Sequence, residues 1–191
     1  MRLTAPGPLS DGEIDLVRPS PRWVDDFLLA CAHPQCWHDP ATHWSRDQLL
    51  GFVQRHPNGT FGHNPGDRWD GYYFWLRPPP TRRPPIPIAG TLSLRLGDDD
   101  DLVQYYGHIG YGVFPPARGQ HYAERACRLV LPLAKRNGLN TLWITCNPDN
   151  LASRRTCERL GATFVDTVAV PARHALFERG EHAKCRYRLS L

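Results

Sequence analysis

The order of hydrophobic patterns along the chain constrains its fold more than any other feature. Three β-type segments, residues 72–77, 86–96 and 102–114, follow one another in series and are aromatic or alternate in polarity. An amphipathic segment with a helical period, residues 122–136, then precedes a short apolar segment, residues 141–146, typical of a buried strand. Strands in series followed by alternating helix and strand predict an α/β fold with a mixed sheet.

The remaining segments fit the same architecture. Further strands are predicted at residues 13–18, 163–170 and 184–191, and further helices at residues 21–30, 44–55 and 150–160. The prolines of residues 78–85 predict a stiff loop, with a ligand for a proline-recognising domain as the alternative. The four aspartates of residues 98–101 predict a solvated turn, with a cation site as the alternative.

The composition is that of an ordinary folded domain. The chain has 191 residues, of which 41% are hydrophobic, so we expect one domain spanning residues 1–191, with residues 1–12 flexible. We expect no membrane segment, because no run of about 18 apolar residues is present, and no signal peptide is visible. The protein is therefore expected to be cytoplasmic, with six reduced cysteines. The scattered net charge of +4 permits an anionic ligand without predicting nucleic-acid binding.

A group of cysteines and histidines in the first quarter of the chain suggests a metal site. Cys31 and Cys36 are separated by four residues, and His38 and His43 follow. Zinc sites more often pair cysteines two residues apart and need a second pair at a characteristic distance, which this sequence lacks. We therefore expect no metal, and we interpret the segment as a helix end followed by a loop.

Two strand-to-helix turns, about 30 residues apart, carry the chemistry. The first, residues 118–123 (RGQHYA), directs backbone N–H groups to one point at a helix N-terminus, which suits a pyrophosphate. In the second, Asn150 and Ser153 lie about one helical turn apart, and residues 158–162 (ERLGA) close the helix. Taken alone, Asn150 and Ser153 are typical of helix caps.

Together these turns resemble the GCN5-related N-acetyltransferase (GNAT) superfamily. The first is similar to its Arg/Gln-x-x-Gly-x-Gly/Ala acyl-CoA motif, and Asn150-x-x-Ser153 with residues 158–162 is similar to the motif that follows. Residues 107–113 (GHIGYGV) are similar to the preceding strand in the branch that includes ribosomal-protein N-acetyltransferases. The resemblance is specific over residues 88–165 and extends loosely over the rest of the chain.

The resemblance implies an α/β GNAT fold, whose mixed, mostly antiparallel central sheet splays at the acyl-CoA site and is flanked by helices. It implies acetyl-CoA as co-substrate, bound between the strands at 102–114 and 141–146. Val113 would pair with the pantetheine arm through its backbone, and Asn150 and Ser153 would contact the pantetheine or adenosine side. The pyrophosphate would lie on the backbone amides of Arg118, Gly119, Gln120, His121, Tyr122 and Ala123.

His121 departs from the family pattern, because the motif has its central glycine at this position. A side chain here would either crowd the pyrophosphate or donate a charge-assisted hydrogen bond to it. Since the contact is made by backbone N–H groups, which histidine retains, we expect the site to be kept.

Acetylation of an amine needs a group that takes a proton from the ammonium. Many family members have a carboxylate just before the Ile-Gly-Tyr stretch, and His108 is the matching residue here. Strand alternation places His108, Gly110 and Gly112 on one face, where the glycines would leave an open trough for the acyl group. We therefore identify His108 as the candidate base or water relay, with a structural histidine as the alternative. Cys157 stands where many members have a tyrosine that protonates the leaving thiolate, so solvent is the expected proton source.

The sequence thus predicts direct transfer of an acetyl group from acetyl-CoA to an amine by a monomer or homodimer. A small-molecule amine is the preferred acceptor, and a protein or peptide N-terminus or lysine is the alternative. The candidates for lining the acceptor pocket, or for the core, are Trp37, Trp44, Trp69 and Trp75.

Two functions of other classes stay open. A non-catalytic acyl-CoA-binding module is suggested by His121 and by the missing tyrosine at position 157. An RNA-directed enzyme or RNA binder is suggested by Arg82, Arg83, Arg154 and Arg155.

Overall fold

The strands form two antiparallel sheets in the part of the chain that the structure, a computed structural model, describes (residues 3, 6–37, 39, 42–62, 65–81 and 86–191). The first sheet contains β1 (Leu9–Ser10), β2 (Asp15–Val17), β3 (Thr60–Phe61), β4 (Asp70–Arg77), β5 (Gly90–Leu96) and β6 (Ile109–Val113). Its order is β1-β2-β4-β5-β6, and β3 also pairs with β4. The second sheet contains β7 (Thr141–Cys146), β8 (Thr163–Ala169) and β9 (Ala183–Ser190), in the order β7-β9-β8.

Helices cover both faces of the first sheet. The α-helices of the described residues are α1 (Val24–Cys31), α2 (Arg46–Arg55), α3 (Tyr122–Arg136), α4 (Leu151–Arg159) and α5 (Ala175–Glu178). Phe74 and Leu92 belong to the core that includes Val130 of α3, whereas Trp75 packs on the opposite side with Phe27 and Leu49 of α1 and α2. Among the described residues, no helix is both long and apolar enough to cross a membrane.

Several predicted elements are confirmed. Both α3 and β7 have the predicted boundaries, and α2 begins directly after the predicted N-cap, Ser45. Ser45 Oγ accepts a hydrogen bond from Gln48 N–H at 3.1 Å, and Gln48 Oε1 accepts one from Ser45 N–H at 2.8 Å. This reciprocal capping box fixes the start of α2. Leu9–Ser10 lies in the segment expected to be flexible and pairs with β2.

The strand predicted at residues 102–114 is wrong in its first half. Leu102–Tyr106 is a π-helix, and only Ile109–Val113 is a strand. Asp99 stabilises the start of the π-helix, because its Oδ1 accepts a hydrogen bond from Leu102 N–H at 3.0 Å. Gly107 ends it with a φ of 69°, in the left-handed region that glycine adopts without strain. The apolar and aromatic residues that favoured a strand suit a helical turn equally well, and Leu102 is the one of the five that is buried.

The acidic segment at residues 98–101 is exposed at Asp98, Asp99 and Asp100, as its charge predicted, and two of its carboxylates also bond to distant side chains. Besides starting the π-helix, Asp99 accepts a hydrogen bond from Trp69 Nε1. Asp101 Oδ1 accepts a hydrogen bond from His174 Nε2 at 2.9 Å. These carboxylates therefore attach the π-helix to the loops around it.

Residues 82–85 of the predicted proline-rich loop lie outside the described residues, and β5 begins at Gly90 rather than at residue 86.

His108 joins the two sheets where they diverge. It is 2% exposed, and its backbone N–H donates to the Trp143 carbonyl of β7 at 2.7 Å. Its Nδ1 accepts a hydrogen bond from Trp143 N–H at 2.9 Å, and its Nε2 donates to the Gly97 carbonyl at 2.9 Å. Its own carbonyl accepts from Arg95 N–H of β5 at 2.7 Å. Beyond this residue β6 and β7 are not paired as neighbouring strands, so the sheets separate.

These contacts also fix the protonation of the His108 ring. A backbone N–H can only donate, so Nδ1 must carry the lone pair and Nε2 the proton. Burial lowers the pKa of His108 below its ordinary value of about 6.5. The neutral imidazole is therefore the form that the fold stabilises.

Replacing His108 with alanine is expected to destabilise the fold by about 2–4 kcal/mol, because Trp143 N–H and the Gly97 carbonyl would each lose a buried partner. Urea denaturation followed by tryptophan fluorescence measures this loss. The matched control is His182→Ala at an exposed position, which should stay within about 0.5 kcal/mol of the parent chain. Equal losses in the two variants would contradict the role assigned to His108.

The free energy of unfolding is expected to fall as the pH drops below about 6.5. Because the folded-state pKa of His108 is lowered, the unfolded chain takes up a proton near its ordinary pKa before the folded chain does. Acid therefore favours unfolding until the folded-state pKa is reached, and His56, whose pKa burial also lowers, acts in the same direction. Urea denaturation at a series of pH values measures the slope. The slope should be smaller in His108→Gln; an unchanged slope would contradict this origin.

Candidate active site

A cavity of about 760 Å³ opens where the two sheets separate. One wall is β6 with the turn that follows it, and the other is the end of β7 with the start of α4. The loop between β8 and β9 contributes Leu176, Arg179 and Glu181. The predicted acyl-CoA residues that line this cavity are Val113, Arg118, Ala123, Asn150 and Ser153.

The other predicted residues of the phosphate turn lie around this cavity rather than in its wall. Gln120 and His121 line a smaller cavity of about 480 Å³ beside α3. Tyr122 is 4% exposed and belongs to the core, and Gly119 forms the turn itself with a φ of 81°. The structure therefore gathers the backbone of this turn at the N-terminus of α3, while its side chains point to different surroundings.

His121 holds the backbone conformation that a glycine would adopt. Its φ is 57°, in the left-handed region, and it immediately precedes α3. Its side chain is half exposed, and its Nδ1 accepts a hydrogen bond from Arg159 Nη1 at 3.0 Å, because an arginine can only donate. The imidazole thus lies against the end of α4, outside the wall of the larger cavity.

Asn150 and Ser153 begin α4 and connect it to β6. Asn150 Oδ1 accepts a hydrogen bond from Ser153 N–H at 3.0 Å, which is the capping role that the sequence favours. Ser153 Oγ lies 2.8 Å from the hydroxyl oxygen of Tyr111, and burial raises the pKa of that tyrosine. Tyr111, which the sequence did not single out, therefore links the two walls of the cavity. Its position in the Ile-Gly-Tyr stretch was the available signal.

The trough predicted above Gly110 and Gly112 exists above Gly112 alone. A Cβ at Gly112 would meet only Thr91 Oγ1, at 4.0 Å. At Gly110 a Cβ would lie 2.9 Å from Ser93 Oγ and 3.1 Å from both Nη atoms of Arg95. The Arg95 guanidinium therefore occupies the space that Gly110 leaves. His108, expected beside this trough, is instead bonded to Trp143 and Gly97 and does not line the cavity.

Arg95 is the charged residue that sequence reasoning missed. It lines the cavity, and its Nη1 donates to the carbonyls of Gly107 at 3.1 Å and Tyr106 at 3.4 Å. Burial lowers the pKa of Arg95. Among the described residues, no carboxylate forms an ion pair with it. An arginine that alternates with Thr91 and Ser93 on one strand face was the signal in the sequence.

A second cavity, of about 640 Å³, adjoins the first. It lies between α2 and β4, and Thr91 lines both cavities. Of the candidate tryptophans, Trp44 and Trp75 line it, whereas Trp37 is 65% exposed and Trp69 bonds to Asp99. Because Thr91 pairs with Gly112, the two cavities meet above the open part of the trough.

The cysteines have the environment of structural thiols. Burial raises the pKa of Cys157 to about 12, so this thiol remains protonated near neutral pH. Within the residues that the structure describes, no group of three or more metal-ligating side chains is found. His38, part of the zinc pattern weighed from the sequence, lies outside those residues.

The family of the chain follows from a comparison with known domains. The acetyltransferase (GNAT) domain matches residues 14–163. The chain belongs to this family and is an N-acetyltransferase, whose donor in the family is acetyl-CoA. No curated protein sequence matches it.

Solved structures share the fold at low identity. The microcin self-immunity acetyltransferase MccE, solved with acetyl-CoA and AMP, is 17% identical over 96% of this chain and 94% of its own, with a TM-score of 0.65. RimL, a ribosomal alpha-N-protein acetyltransferase solved with coenzyme A, is 18% identical over 96% and 97%, with a TM-score of 0.64. A Salmonella typhimurium acetyltransferase that modifies the N-terminal serine of a ribosomal protein is 17% identical over 96% and 98%, with a TM-score of 0.61.

Replacing His121 with glycine is expected to leave the dissociation constant for acetyl-CoA within about threefold of the parent value. The backbone N–H groups of the turn are unchanged, and glycine adopts the same φ without strain. Calorimetric titration with acetyl-CoA measures this constant. The contrasting variant is Gly119→Val, which places a β-branched residue at a φ of 81° and should weaken binding by at least about tenfold. A comparable loss in His121→Gly would show that the imidazole itself binds the phosphates.

Proposed function

We propose that this N-acetyltransferase acetylates a small-molecule amine at the junction of its two cavities. The observation that carries the proposal is the meeting of a cleft beside β6 with a separate cavity under α2, at the Thr91–Gly112 pair. One cavity leads to the phosphate turn, and the other provides an independent route for the acceptor. A transferase needs both routes, whereas a module that only binds acyl-CoA needs one.

The larger cavity suits the donor. In the proposal the pantetheine arm lies along β6 and pairs with the backbone of Val113, and the pyrophosphate lies on the amides of residues 118–123. Asn150 and Ser153 contact the arm from the start of α4. The thioester carbonyl is polarised by a backbone N–H of β6, which is a fixed dipole that stabilises the developing oxyanion.

We do not assign the general base to His108. Its Nδ1 lone pair and its Nε2 proton are both committed to backbone groups, so proton uptake would break a buried hydrogen bond. The carboxylates in the wall of the larger cavity are also paired: Asp39 with Arg118 at 3.0 Å, and Glu181 with Lys184. We propose water in the larger cavity as the proton acceptor, and water also supplies the proton for the leaving thiolate.

The lining and the volume of the second cavity favour a small acceptor. Its walls are aromatic, with Trp44, Phe52, Tyr73 and Trp75, and a volume of about 640 Å³ is in the range of small-molecule sites. A protein N-terminus is the second candidate, since RimL and the Salmonella enzyme act on ribosomal proteins. The RNA alternative stays a prediction, because Arg82 and Arg83 lie outside the described residues. Of the other two arginines, Arg154 donates to Tyr187 Oη at 3.2 Å and Arg155 is exposed.

Filling the trough with Gly112→Val is expected to lower turnover by at least about tenfold while the fold remains intact. Gly112 has ordinary extended backbone and open space, so valine suits the strand but obstructs the junction. The measurements are release of coenzyme A with a panel of amines and short peptides, and calorimetric titration with coenzyme A.

The matched control is Thr163→Val, an exposed position on β8. It should leave both turnover and coenzyme A binding unchanged. Unchanged turnover in Gly112→Val would contradict transfer at this junction, and absence of acetyl-CoA binding by the parent chain would contradict the function as a whole.

A further inference from the structure

The Arg95 guanidinium is a cation without an anion in the wall of the proposed donor cavity. Its Nη1 is occupied by the carbonyls of Tyr106 and Gly107. Its Nε and Nη2 have no protein acceptor among the described residues, and neither atom is sealed from the cavity. An arginine carries five N–H donors in a planar fork, so three donors remain to bind a ligand.

The other charged groups of the cavity leave this cation uncompensated. Arg118 pairs with Asp39, and Lys184 pairs with Glu181. Arg179 is exposed and forms no ion pair with a described residue. The region beside Gly110 is therefore positive, which disfavours an acceptor whose only charge is its ammonium group and favours one that also carries an anion.

Two neighbouring positions on β6 set the distance between the reacting centre and this cation. The open trough lies above Gly112, and the guanidinium lies above Gly110. Alternate residues of a strand are about 7 Å apart, and a hydrogen bond from guanidinium to anion takes about 2.8 Å of that distance. Subtracting the hydrogen bond from the strand spacing leaves a distance that corresponds to an amine and an anionic group separated by about two carbon atoms.

We propose that an acceptor entering through the second cavity extends past Gly112 into the larger cavity, where Arg95 binds its anionic group. The acceptor is then a small amine bearing a carboxylate or a phosphate about two carbon atoms from its nitrogen. This inference rests on the proposed acetyl transfer and specifies its substrate class. The planar fork of arginine matches either oxyanion in a bidentate arrangement.

Paired probes that differ only in the anion test the proposal. The carboxylate arm compares β-alanine with β-alaninamide, and the phosphate arm compares phosphoethanolamine with ethanolamine. With the parent chain, kcat/KM from coenzyme A release should be higher for the anionic member of at least one pair by roughly tenfold or more. The arm in which the difference appears identifies the anion.

Variants of Arg95 assign the preference to this side chain. In Arg95→Gln the ratio within the pair should fall to about one, mainly through KM, and Arg95→Lys should retain part of it. The matched control is Arg136→Gln, an exposed position in the last turn of α3, which should keep the full ratio. Calorimetric titration with acetyl-CoA reports whether each variant keeps the donor site folded.

The outcomes separate this inference from the proposed function. Absence of acetyl-CoA binding by the parent chain would overturn both. Binding with equal turnover of charged and neutral members, or a ratio unchanged in Arg95→Gln, would overturn the inference alone.

If no probe is turned over, the complex with coenzyme A is titrated with N-acetyl-β-alanine, N-acetylphosphoethanolamine and the neutral counterparts N-acetyl-β-alaninamide and N-acetylethanolamine. Tighter binding of an anionic product that depends on Arg95 supports the inference, and equal or absent binding overturns it.

Discussion

The separation of the two sheets depends on one buried residue, His108. Its backbone and both ring nitrogens bond to β7 and to the loop after β5, and its carbonyl bonds to β5 itself. A buried polar group is stable only when its partners are in place, so these four hydrogen bonds hold β5, β6 and β7 together at a single point. From that point β6 and β7 diverge, and the resulting cleft is the cavity proposed for the donor.

The width of the cleft is limited at a second place. Tyr111 of β6 reaches Ser153 at the start of α4, and Ser153 is itself held by the Asn150 cap. The cleft thus has a vertex at His108 and a cross-link at Tyr111, with Gly110 between them and Gly112 beyond the cross-link. Rigid elements on both sides would keep the proposed donor and acceptor routes aligned, which is what direct group transfer requires.

Sequence patterns predicted the parts of the fold that are set locally. The capping box at Ser45, the helix 122–136 and the cap at Asn150 depend on residues a few positions apart, so short-range rules find them. The π-helix at Leu102–Tyr106 and the Asp101–His174 bond depend on contacts between distant parts of the chain, and the sequence pattern alone indicated a strand at residues 102–106. Arg95 was missed for the same reason, since its role arises from Gly110 on the neighbouring strand.

The position of His108 also limits how a loss of activity can be interpreted. A substitution there frees β6 from β7 and alters the cavity, so turnover would fall whether or not the imidazole moves a proton. The two roles differ in their pH dependence, because a base contributes its own pKa to the profile of kcat/KM and a positioning residue does not. His108 has a lowered pKa and no available lone pair, so it should not contribute a pKa to the profile of kcat/KM. The increase of the rate with pH is then set by the ionisation of the acceptor amine.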